Sequence, residues 1–166
     1  MRIQSKMLLS FAIALTITSA ASAQRPGMSA MRDEVDVAIT LQVAGQPYQF
    51  EGKAECQHEP AAYIYSVPSE MWSVHQYDGR RSVNLSLWRP RNVSDDMFSL
   101  SVGTRGKSYL VNTIKPGGAV KGSGKMTVTR SGAGGTFTIN ATTADGAVIT
   151  GTIKCSAFTA AMAEGG

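Results

Sequence analysis

Residues 35–43 read VDVAITLQV, and the phase of that stretch decides the fold. Apolar side chains stand at Val35, Val37, Ile39, Leu41 and Val43, with Asp36, Thr40 and Gln42 between them. A period of two sends successive side chains to opposite faces, so the segment reads as a half-buried strand. Gly45-Gln46-Pro47 interrupts it, and Tyr48, Phe50, Gly52, Ala54 and Cys56 form a second alternating set. The two together predict a hairpin.

The far end of the chain repeats the pattern. Phe137 and Ile139 alternate with Thr136, Thr138 and Asn140, Asp145-Gly146 signals a turn, and Ala147, Ile149, Gly151, Ile153 and Cys155 alternate again. Each cysteine is in phase with the apolar residues of its own strand, so both are expected to point into the core and to pair. Between these ends, Ala62–Val67, Met71–Gln76, Ser82–Trp88, Phe98–Val102, Ser108–Asn112 and Ala119–Thr129 read as further strands. Only Asp95–Leu100 and Ala157–Glu164 invite a helical reading. Eight to ten short strands with 17 glycines predict an all-β, single-domain antiparallel β-sandwich or flattened barrel with one inter-sheet disulfide, Cys56–Cys155.

The first 23 residues have the grammar of a cleaved secretory signal: Arg2 and Lys6, an apolar run from Met7 to Ile17, and Ala21-Ser22-Ala23 before Gln24. The expected organisation is therefore a signal peptide over 1–23, a flexible N-terminal segment over 24–34, a β-sandwich domain over 35–156 and a frayed tail over 157–166. Export to a periplasmic or extracellular space suits a disulfide, and no transmembrane segment is expected in the mature chain. The Gly-Lys-Ala-Glu-Cys strand ending at Cys56 and the Gly-Thr-Ile-Lys-Cys strand ending at Cys155 give a layout that resembles small exported mycobacterial lipoprotein antigens of the envelope. The likeness is one of layout, the lipidated cysteine is absent, and no activity or site residue follows from it.

Charge excludes more than it assigns. Loss of Arg2 and Lys6 lowers the net charge from +4 to +2, which gives no ground for a nucleic-acid partner. Residues 97–144 nevertheless carry Arg105, Lys107, Lys115, Lys121, Lys125 and Arg130 with no Asp or Glu. Such a stretch is either a solvated face or a surface for an anionic partner.

The candidate binding set is aromatic and cationic: Tyr63, Tyr65, Trp72 and Trp88, interleaved with Arg80, Arg81, Arg89 and Arg91. Rings beside guanidinium groups stack on sugars or anchor a protein interface. Trp88 is out of phase with Val83, Leu85 and Leu87 and is expected to face outward. The competing reading of these rings is core filling. A metal-binding alternative would use His58 and His75 with Glu59 and Asp78, a donor set suited to a divalent transition metal, although the spacing matches no ligand motif. Otherwise no cofactor is expected. Glu55, Glu59, Glu70 and Asp78 supply carboxylates for a small hydrolase, but nothing in the sequence fixes their separation, and no Gly-x-Ser-x-Gly elbow occurs. The reading is a non-enzymatic exported protein that binds an envelope component, polysaccharide or protein.

Overall fold

A computed structural model describes residues 33–91, 95–115 and 119–161; the signal-peptide reading and most of the 24–34 segment lie outside these. Ten strands follow one another: β1 (Glu34–Val43), β2 (Gln46–Ile64), β3 (Val67–Tyr77), β4 (Ser82–Pro90), β5 (Met97–Thr104), β6 (Lys107–Asn112), β7 (Ser123–Ser131), β8 (Gly134–Thr142), β9 (Val148–Cys155) and β10 (Thr159–Ala160). Nine of them form one antiparallel sheet in the order β6-β5-β4-β3-β2-β1-β9-β8-β7, with β10 added to β2. The antiparallel sheet curls until it is nearly closed into a barrel, in keeping with the all-β, single-domain fold expected.

The alternation that predicts β1 also builds the interior. Val37, Ile39, Leu41 and Val43 are all buried, and so are Val83, Leu85 and Leu87 of β4 and Phe98, Leu100 and Val102 of β5. β1 lies between β2 and β9, pairing Val37 with Gly52 on one side and with Cys155 on the other. The close approach of β9 to β1 requires Gly151. Its φ is +135°, and a Cβ there would come within 2.1 Å of the Thr40 carbonyl oxygen.

Cys56 and Cys155 are bonded, as their phase requires. The bridge joins β2 to β9, the two strands that flank β1, across the first residues of β1. Past that point β10 pairs in parallel with Gln57 and His58 of β2, in the lane β1 would otherwise fill. Phe158 packs against the core as well. Residues 157–161 are thus tied to the sheet, where the sequence alone implies fraying.

Two segments differ from expectation. β2 runs on past Cys56, 19 residues in all, absorbing an irregularity as a register shift between Glu59 and Ala62. The expected strand Ala62–Val67 is divided by the β2–β3 turn: Ala62–Ile64 end β2, Val67 opens β3, and the chain turns at Tyr65 and Ser66 with φ of 49° and 65°. Asp95–Leu100 is not helical; β5 begins at Met97.

The barrel's seam lies between β6 and β7, the two edge strands. Among the described residues it is joined by one bridge, in which Asn112 and Lys121 exchange backbone hydrogen bonds of 2.7 and 2.9 Å. Among the described residues no helix is long and apolar enough to cross a membrane.

Candidate functional site

An open cavity of about 940 Å³ lies where the β2–β3 tip, the start of β5 and the first residues of β7 come together. Ile64, Tyr65 and Val67 approach from the hairpin, Pro90 from the end of β4, and Asp95, Asp96 and Met97 from the approach to β5. Thr113 and Lys115 follow β6, and Val120 and Gly122–Thr127 complete the wall. Ile64 and Met126 are buried beneath it, while Tyr65 and Val120 are exposed at its edge. Its volume falls within the roughly 300–1,000 Å³ of small-molecule sites.

Tyr65 and Ser66 hold the left-handed backbone conformation without a glycine. That conformation is costly for side-chain-bearing residues, and such strain collects where a chain positions a site. Tyr63 and Tyr65 are 67% and 52% exposed, so the tip presents two phenol rings to solvent beside the cavity.

The structure divides the aromatic and arginine set. Trp72 is corrected from surface to core: it is 1% exposed, because its phase on β3 matches Val74 and its register partner on β4 is Leu87. Trp88 lies on the opposite face, half-buried, in register with Met71 on one side and Met97 on the other. Met97 links this outer stripe to the cavity wall.

Three of the four arginines are engaged within the protein. Arg89 forks Asp96, with Nε donating to Oδ1 at 3.2 Å and Nη2 to Oδ2 at 3.0 Å, and its guanidinium lies 5.1 Å from the centre of the Trp72 ring. Arg91 donates to the Pro60 carbonyl at 2.7 Å. Arg81 binds Asp78, donates to the Gln49 carbonyl and covers the Tyr48 ring. Arg80 and Arg81 lie past the far end of β3, whose 11 residues separate them from the hairpin tip, roughly 36 Å along an extended chain. The set therefore does not form one surface.

The metal alternative meets the same obstacle. His58 shares its face with Cys56 and Trp72, whereas His75 pairs with Glu55 on the other face and contacts Asn84 Oδ1 through Nδ1 at 3.1 Å. Glu59 accepts from the Ala61 amide at 2.9 Å. Asp78 accepts from the Arg81 amide, which together with the Arg80 amide and the Arg81 side chain holds its carboxyl below the usual range. The four side chains do not converge, and among the described residues no group of three or more metal-ligating side chains occurs.

His58 stacks on Trp72 with centroids 4.8 Å apart and planes at 11°. Its Nε2 is buried with no hydrogen-bond partner among the described residues. Burial pushes its pKa below the ordinary 6.5, Arg130 adds to the effect, and Glu70 and Glu59 oppose it. A base held below its unfolded value stabilises the fold fully above that value and loses the contribution as pH falls through the folded one. Urea midpoints taken on either side of pH 6.5 are expected to fall on the acid side. The His58→Phe variant, which keeps a ring over Trp72, should lose part of that dependence; an unchanged acid-side fall would remove His58 as its source.

Met97, Val120, Met126 and Ile64 were not selected by sequence reasoning, since each is an ordinary apolar residue, three of them within strands and Val120 just ahead of β7. Lys115 and Lys125 carry the one usable signal, belonging to the acid-free stretch 97–144. No protein-family model matches this chain, and no curated protein or solved structure matches it either.

Proposed function

We propose that this chain is an exported, non-enzymatic binding protein of the cell envelope or exterior, and that it takes its partner at the cavity beside the β2–β3 tip. The signal-like residues 2–23 and the core disulfide support export. The observation that carries the binding reading is the cavity itself: an opening of about 940 Å³ whose wall includes Ile64, Val67, Met97 and Met126 beside a strained, exposed Tyr65. Of the sequence candidates, Tyr63, Tyr65 and Trp88 stay on this side of the molecule. Arg89 and Arg91 brace this side from within, through Asp96 and the Pro60 carbonyl, while Arg80 and Arg81 lie at the other end of β3.

A neutral fluorescent probe such as N-phenyl-1-naphthylamine tests the reading. It is expected to bind saturably at one site per chain. Met97→Asp, which places a charge in the apolar wall, should weaken it at least tenfold, the size of effect expected when a charge must lose water. Circular dichroism verifies that the variant folds. Probe binding that is absent, or that survives Met97→Asp in a folded variant, sinks the proposal.

A further inference from the structure

We infer that the occupant of this cavity is a single-chain anionic amphiphile, a long alkyl or acyl chain ending in a carboxylate or phosphate monoester. The inference rests on the binding function proposed above and names its ligand class. The wall divides by chemistry. Ile64, Val67, Met97 and Met126 offer apolar surface, and Met126 lies at the buried level of the core. Methionine suits a flexible chain, because its unbranched thioether adapts to irregular contacts.

The charged part of the wall favours an anion. Asp96 is neutralised by the Arg89 fork. Lys115 and Lys125 are exposed in the lining, and neither has a carboxylate partner among the described residues. Asp95, also exposed, is the opposing charge. With Asp96 paired, Lys115 and Lys125 stand against Asp95 alone in the lining, so the charge around the opening is net positive although the protein as a whole is nearly balanced. The two lysines can lay their stems along the apolar wall and keep their ammonium groups at the opening. An anionic head would meet them there while its chain enters between Met97 and Met126.

Displacement of the neutral probe by hexadecanoate and by hexadecanol separates charge from chain. Hexadecanoate is expected to displace the probe about tenfold better at low salt, the advantage shrinking as salt screens the lysines. In the Lys115→Gln/Lys125→Gln double variant the two ligands should approach parity, each ratio taken against that protein's own affinity for the probe. Equal displacement by both ligands in the unmodified chain overturns the anionic assignment and leaves the apolar site standing. Failure of the probe itself to bind removes both. Co-sedimentation with vesicles of anionic phospholipid that leaves the probe in place would assign the lysines to a bilayer surface and overturn the inference as well.

Discussion

Trp72→Ala is expected to lower the unfolding free energy by about 3–5 kcal/mol, the range for removing a large aromatic side chain from a packed core. The indole is almost fully enclosed, stacks on His58 and carries the Arg89 guanidinium over its ring. Its loss opens a void and removes a ring contact and a cation–π contact together. Trp88→Ala provides the internal control. Trp88 is half-buried on the outer face between Met71 and Met97, so its replacement should cost much less and leave folding nearly intact. Urea unfolding followed by circular dichroism compares the two. Should Trp88→Ala prove the more damaging, the assignment of inner and outer faces on β3 and β4 is wrong.

The second large effect belongs to the disulfide. Cys56 and Cys155 are 99 residues apart in sequence, and a loop near that length corresponds to about 4.7 kcal/mol in the chain-entropy account. The Cys56→Ser/Cys155→Ser variant is expected to lose about 2–5 kcal/mol, read as a lower urea midpoint. The loss should be felt first at the chain's end. Thr159 donates its hydroxyl to the Cys56 carbonyl, and the amide of Phe158 is bonded to the Ala133 carbonyl. Amide exchange at Phe158 should accelerate more than at Leu85, deep in β4. An unchanged midpoint would mean that the strand pairing alone holds β2 and β9 in place.

The fold was legible where chemistry and period agree. Val35–Val43 and Ala147–Cys155 alternate cleanly, and the phase of the two cysteines locates the bridge before any coordinates do. The β2–β3 turn was not legible, because a two-residue hairpin loop with two positive φ angles ordinarily advertises itself with Asn or Gly. Here Tyr65 and Ser66 take those positions, and Pro68 close by lies inside β3. The candidate site was legible in smaller part. Exposure of Tyr63 and the outward face of Trp88 follow from alternation, whereas Tyr65 is exposed because it sits in the turn. Trp72 was grouped with them by proximity in sequence, although its phase with Val74 places it inside. The pairings Arg89–Asp96 and Arg91–Pro60 join residues through tertiary geometry, and no local pattern announces them. The cavity is assembled from four separate stretches of chain, so its lining has no sequence signature.

The position of β1 between β2 and β9 also sets a timetable. β2 can close on β1 at once through a two-residue turn, and β3 to β6 can follow as successive hairpins. The other edge of β1 must wait for β9, whose Cys155 meets Val37 across most of the chain. Contacts so distant are slow to find, on the order of milliseconds to seconds for β-rich domains. Until β9 arrives, β1 presents a bare hydrogen-bonding edge and an apolar flank to any neighbouring chain. Chains released before residue 148 would keep that edge open indefinitely. The hazard for this molecule therefore falls during its synthesis and folding, when a truncated or delayed chain is the species most prone to aggregate.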